Sequence, residues 1–155
     1  RLYAAGECSC TGLHGANRLA SNSLIEAVVY AEAAAKHSIA LVDSLSFQRE
    51  IPSWNDEGTS LTEEMVLITQ TKIEVEQIMS AYVGIVRSNL RLKRAITRLK
   101  LLYEETEQLF ARSVVSQEIC ELRNLISVAF LIITQATQRK ESIGLHYTID
   151  YPSKK

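Results

Sequence analysis

Over most of the second half of the chain, apolar residues recur at three- and four-residue steps. Ile119, Leu122, Ile126, Ala129, Ile133 and Ala136 keep this spacing unbroken, which puts them on one face of a helix. The polar residues near Ser116 and Gln138 mark its expected ends. Ile85, Leu92, Ile96, Leu99, Tyr103 and Phe110 repeat the steps, with Asn89 and Thr106 as polar members of the stripe, and predict a helix over roughly 82–111. A further helix is expected over 62–81, opened by the capping-box-like "SLTEE" at 60–64. Amphipathic helices of this length bury their stripes against one another. The expected fold class is therefore mainly α, an antiparallel three-helix bundle.

The pattern upstream is different. "SLIEAVVYAEAAAKHSIALVDSL" reads as one long helix, capped at Ser21 or Asn22, with Glu26 in its first turn and no proline or glycine inside. Before it, the first five residues look like a strand that ends in a glycine turn. No other segment has a period of two, so the sheet this strand would join is expected in an N-terminal part outside the chain, which makes the chain a C-terminal fragment. The expected organisation is 1–45 as the remnant of an α/β domain (strand, Gly-rich turn, long helix) and 46–61 as a linker loop containing Pro52 and Gly58. The bundle then takes 62–140, and 141–155 form a tail packing back on the protein.

Charge narrows the function classes. Seventeen Lys and Arg against eighteen Asp and Glu give a net charge of −1, which removes the broad electrostatic case for a nucleic-acid partner. Arg87, Arg91, Lys93, Arg94, Arg98 and Lys100 gather on the middle bundle helix without an acid among them. The neighbouring helices, however, supply Glu63, Glu64, Glu74, Glu76, Glu118 and Glu121, and no aromatics are interleaved, so a solvated or cross-paired face is expected. The apolar run "ISVAFLII" at 126–133 falls short of the roughly 20 residues of a bilayer span, and the protein reads as cytoplasmic. Cys8, Cys10 and Cys120 have no second Cys/His cluster at ligand spacing, and no metal is expected.

Neither G-x-S-x-G nor G-x-G-x-x-G occurs, and the histidines stand apart at 14, 37 and 146, with His37 read as structural. The unusual segment is the turn ahead of the long helix, where Gly12, His14, Gly15, Asn17 and Arg18 crowd together. A helix start offers unpaired N–H groups and the positive end of the helix dipole. The Arg18 guanidinium beside it is a two-pronged clamp for a carboxylate, with the Ser23 and Leu24 N–H groups available to a second acceptor. A purely structural turn is the alternative.

"LYAAGECSCTGLHGANRLASNSLIEAVVYAEAAA" resembles the segment that ends the flavin domain in the succinate dehydrogenase/fumarate reductase flavoprotein superfamily, and "RKESIGLHYTIDYP" resembles its C-terminal signature. "RLASNSLIE" and "HYTIDYP" are most similar to its L-aspartate-oxidising branch. Ile143 stands where the family usually carries arginine. The resemblance implies FAD as cofactor of the complete enzyme, with Glu7 bonding the FAD and the Ser23 and Leu24 backbone at the flavin edge. It also implies that Arg18 grips a substrate carboxylate and that His14 lies in the same active-site turn. The implied substrate is L-aspartate or another C4 dicarboxylate, with electrons passing to oxygen or fumarate and quinolinate synthase as the downstream enzyme. The chain alone is expected neither to hold FAD tightly nor to turn over. Two alternatives stay open: a fumarate reductase or succinate dehydrogenase flavoprotein, and a non-enzymatic helical-bundle interaction module.

Overall fold

The computed structural model describes residues 2–15, 18, 20–60 and 64–152. Their helices are α1 (Ala20–Val42), α2 (Met65–Tyr82), α3 (Asn89–Arg112) and α4 (Gln117–Gln138), with two short strands, β1 (Val86–Arg87) and β2 (Tyr147–Thr148). The chain divides into two units, Arg1–Ser53 and Trp54–Lys155, and the division falls inside the loop expected at 46–61.

In the second unit α2, α3 and α4 pack mutually around one core. The α4 stripe is as the spacing predicts: Ile119, Leu122, Ile126, Ala129, Ile133 and Ala136 are all buried, and the Ser116 side chain caps the helix by accepting from the Ile119 N–H. By length and composition α4 could cross a membrane, with a mean hydropathy of 1.4 over its most apolar stretch. Its stripe is nonetheless part of the bundle core shared with α2 and α3.

The α3 stripe differs from the sequence reading in two ways. The buried set is Leu92, Ala95, Leu99, Leu102, Thr106 and Leu109, one step round the helix from the expected line through Ile96, Tyr103 and Phe110. Ile96 and Phe110 are only partly buried against the core, and Tyr103 is exposed. The apolar arc of α3 is wide enough to admit either line, and contact with both α2 and α4 centres it on the first. The helix also starts at Asn89 and not near 82, because the chain turns sharply after Tyr82. A Cβ on Gly84 would lie 2.6 Å from the Ser80 carbonyl oxygen, so only glycine permits this turn. Ile85 consequently points to solvent.

The expected start of α2 near Thr62 lies outside the described residues. Ser60, read as its cap, has its backbone tied to the end of α3: its N–H donates to Arg112 O at 3.1 Å and its carbonyl accepts from Val114 N at 2.9 Å.

Residues after α4 return to the α2–α3 turn. β1 and β2 pair in parallel, Val86 against Tyr147 and Arg87 against Thr148. The Asp150 carboxylate accepts from the Asn89 N–H at 2.6 Å, at the positive end of α3, where the Ser88 hydroxyl already accepts from the Arg91 N–H. Arg87 is the hub of this clamp: its Nε donates to the Val83 and Gly84 carbonyls, and a terminal nitrogen lies 2.8 Å from Nδ1 of buried His146. Because the guanidinium only donates, Nδ1 accepts and His146 is held neutral. Burial pushes the His146 pKa below its ordinary 6.5, the nearby Arg87 and Arg139 charges push the same way, and Glu141 opposes them.

In the first unit Leu2–Ala5 has no regular secondary structure, where the sequence suggests a strand. A strand exists only through its ladder, and no segment among the described residues pairs with this one. A single 3-10 turn follows at Glu7–Ser9.

Two predictions test this architecture. Leu102 is 4% exposed and Ile85 86%, so Leu102→Ala should cost about 2–5 kcal/mol and Ile85→Ala less than about 1 kcal/mol in urea unfolding. The stripe first expected from the sequence would give Ile85 the larger cost. The second prediction concerns pH. A folded-state pKa lowered beneath the unfolded value means that His146 contributes stability above pH 6.5 and that this contribution is lost as pH falls through the lower folded value. The thermal midpoint should decline between about pH 7 and pH 5, and His146→Asn should flatten that decline.

Candidate functional site

The glycine turn and the start of α1 form the candidate site. The segment before α1 lies along that helix. The Tyr3 hydroxyl meets His37 Nδ1 at 2.7 Å, and a Cβ at Gly6 would sit 3.5 Å from the Ala27 Cβ, an ordinary contact. His37 is thus a partner for the N-terminal segment, in line with its structural reading. The chain then makes a tight turn in which the Gly15 N–H donates to Gly12 O at 3.2 Å. Both glycines have positive φ, at 85° and 56°, a region where a side chain is strained.

Within this unit the structure brings four of the expected site residues to the start of α1. The Arg18 guanidinium donates to the Glu7 carboxylate at 3.0 Å, and both side chains are largely solvated, 44% and 65% exposed. Ser23 is near the helix start, with its hydroxyl donating to Ala20 O at 3.0 Å. Leu24 is exposed. Asn17, singled out with this turn, lies outside the described residues. The start of α1 differs from the sequence reading: the helix winds back to Ala20, so the Leu24 N–H falls within its i→i−4 ladder and Glu26 moves from the first turn to the second.

His14, the fifth expected residue, leads to a group the sequence reading missed. Its Nε2 lies 2.5 Å from Glu26 Oε2, and the Thr11 hydroxyl donates to the other oxygen of the same carboxylate. Glu26 is the buried residue of α1. The Thr11 hydroxyl, and behind it the His14 hydrogen bond and charge, hold its pKa below the usual 4.5 against the opposing effect of burial. It therefore stays ionised through the neutral range. One signal was available in the sequence: Glu26 is the sole charged residue in "SLIEAVVYA", an apolar neighbourhood in which a carboxylate needs partners.

Chemically, the site offers a solvated guanidinium with a single weak partner among the described residues, an imidazole oriented by a carboxylate, and a glycine turn at a helix start whose first turn holds no acid. Such an arrangement suits an anionic ligand with two acceptors. No group of three or more His, Cys, Asp and Glu able to hold a metal occurs among the described residues.

The sequence profile of the family described as "Fumarate reductase flavoprotein C-term" matches residues 72–155, and that of the "FAD binding domain" matches residues 2–24. Proteins named L-aspartate oxidase from Vibrio cholerae and Pseudomonas aeruginosa are 47% and 48% identical to the chain over 98% and 97% of its length. A chloroplastic L-aspartate oxidase of Oryza sativa is 44% identical over 97%. The chain spans 28% of the length of each of the two bacterial relatives. Among solved structures, the Mycobacterium smegmatis Sdh1 complex in the apo form superposes on 98% of the chain with a TM-score of 0.70 at 27% identity, covering 28% of that protein.

The ion pair yields a prediction. An exposed single contact contributes about 0–1 kcal/mol, so Arg18→Gln and Glu7→Gln should each shift the unfolding free energy by less than about 1 kcal/mol. A double-mutant cycle in low and high salt measures the coupling, and a value of several kcal/mol would make the pair a structural strut.

Proposed function

The chain belongs to the fumarate reductase flavoprotein C-terminal family, and from that membership we propose that it is the C-terminal part of an FAD-dependent L-aspartate oxidase. The complete enzyme converts L-aspartate to iminoaspartate, passes electrons to oxygen or fumarate, and feeds NAD biosynthesis through quinolinate synthase in the cytoplasm. The observation that carries the reading is the turn 11–15 with Arg18 solvated at the head of α1, Glu7 being its one weak partner among the described residues. The near-complete coverage of the chain by proteins named L-aspartate oxidase supports it.

The residues present fit one edge of a flavin. Among the described residues a Cβ at Gly12 or Gly15 would meet nothing within 4 Å, so the turn has an open side, and His14 Nδ1 is buried without a partner. Glu7 and the free N–H groups at the start of α1, which the structure sets back to Ala20 from Ser23 and Leu24, would hold the cofactor, which, when bound, supplies the two-electron acceptor for amine oxidation. The pyrophosphate cradle has no glycine motif in this sequence, so the chain alone holds FAD weakly in this reading. Arg18 binds a substrate carboxylate through its two-pronged face and fixes the dicarboxylate against the reacting edge. Magnitudes settle the competition with Glu7. A shielded bidentate contact is worth roughly 2–4 kcal/mol and an exposed pair at most about 1 kcal/mol, so the ligand displaces Glu7 from the guanidinium.

The similarity to the Sdh1 structure favours one second reading, a succinate dehydrogenase or fumarate reductase flavoprotein that uses the same arginine on a dicarboxylate lacking the amine. A non-enzymatic bundle module leaves the residues of the turn without a role.

In the full-length flavoprotein, Arg18→Leu should retain FAD while losing about 30- to 1,000-fold in kcat/KM for aspartate, and Arg18→Lys should recover part of it. Steady-state kinetics on flavin-loaded protein, with succinate as competing substrate, checks the reading. An unchanged kcat/KM sinks the clamp, and oxidation of succinate in preference to aspartate selects the second reading.

A further inference from the structure

Helix α1 reverses the ordinary distribution of side chains. Glu26 is 3% exposed, while Leu24, Ile25, Val28 and Val29 on the same helix are 55–75% exposed. Removing a carboxylate from water is costly, and an apolar residue with good packing serves stability as well or better. What the carboxylate adds is directional: both oxygens are engaged, one by the Thr11 hydroxyl and one by His14 Nε2. An ionised carboxylate only accepts, so the proton on this edge of the imidazole sits on Nε2. In the neutral ring Nδ1 is then an acceptor, and among the described residues it is buried without a partner.

Thr11 and His14 bracket Gly12, and the Leu13 N–H donates back to the Thr11 hydroxyl oxygen at 3.3 Å. The turn is therefore fastened at two points to the second turn of α1. Arg18 falls between this fastened turn and the first residue of the helix, Ala20.

We propose that Glu26 is a positioning residue of the site, fixing His14 as the Nε2–H tautomer with Nδ1 offered to a proton-donating group of the bound ligand, and tying the turn that leads to Arg18 onto α1. This rests on the reading of the turn as the dicarboxylate site. The group met by Nδ1 is an N–H or O–H donor, which an amino dicarboxylate or the imide of a flavin can supply. An aspartate analogue without the amine separates the two sources.

The test has a part that needs no turnover. In the 155-residue chain, long-range 1H–15N correlation spectra of His14 at neutral pH should show the Nε2–H tautomer. In Glu26→Gln, whose amide can donate to Nε2, the ring should shift toward Nδ1–H. A wild-type ring with a proton on Nδ1, as the Nδ1–H tautomer or as the imidazolium, or a tautomer unchanged by Glu26→Gln, overturns the proposal. In the full-length FAD-loaded enzyme, Glu26→Gln should keep flavin stoichiometry and lose about 10- to 100-fold in kcat/KM for aspartate, with Glu26→Asp restoring part of it. If Glu26→Gln fails to fold, Thr11→Val, which removes one of the two fastenings, should still raise KM for aspartate several-fold, and an unchanged KM overturns the proposal. Failure of the underlying reading looks different: Arg18→Leu would then also leave aspartate kinetics untouched, whereas a damaged Arg18→Leu beside a fully active Glu26→Gln rejects the positioning role alone.

Discussion

The second unit depends on the seam that α3 presents to two neighbours at once. Leu92, Ala95, Leu99, Leu102, Thr106 and Leu109 face the core at alternating three- and four-residue steps, so one helix supplies knobs to both α2 and α4. Ala95, Ala129 and Ala136 on the buried faces keep those stretches slim, and the larger Leu99, Ile126 and Ile133 fill the space between helices. The caps at Ser88 and Ser116 follow from the same requirement, since a seam works only if its helices begin at fixed places. At the rim, Arg123 of α4 grips Glu107 of α3 with two nitrogens and lies 4.4 Å over the Phe110 ring. That contact orients the pair more than it stabilises it, because both charges remain partly solvated.

The first unit runs on the opposite logic. Its interior contact is a carboxylate held by a hydroxyl and an imidazole, and its apolar side chains face outward. Within it, directional bonds fasten the turn to the helix. They hold the turn in register with the second turn of α1. The two ion pairs of this unit differ accordingly: the Glu26 carboxylate is buried against His14, whereas the Arg18–Glu7 pair is solvated and weak.

The sequence disclosed unequal amounts of this. The α4 pattern was legible because only the line through Ile119, Leu122, Ile126, Ala129, Ile133 and Ala136 stays apolar along the whole helix, and Ser116 is an unambiguous cap. The α3 pattern was not, since Ile96, Tyr103 and Phe110 form a second line beside the buried one, and only the positions of α2 and α4 choose between them. The break at 83–88 depends on how closely Gly84 approaches a carbonyl, a distance that periodicity does not encode. At the candidate site, Arg18 and the turn around His14 were legible from residue type ahead of a helix start, Glu7 came from motif resemblance, and the Glu7–Arg18 pair is a tertiary fact beyond both. Glu26 escaped because a carboxylate in a helix reads locally as a surface residue. Its burial is decided by Thr11 and His14, which reach it only once the turn has folded.

The parallel strand pair also carries a consequence for the order in which the chain assembles. Asn89 and Asp150, which meet beside it, stand 61 residues apart, and closing a loop of that length from an open chain costs about 3–4 kcal/mol of configurational entropy. A few hydrogen bonds at about 1 kcal/mol each barely offset this. Once α3 and α4 have zipped into a helical hairpin, the ends are already neighbours and the effective loop shrinks to the 12 residues that separate Gln138 from Asp150. Docking of the tail is therefore conditional on the hairpin: His146 finds Arg87 in molecules whose bundle has formed, and that contact serves as a latch that reports completion.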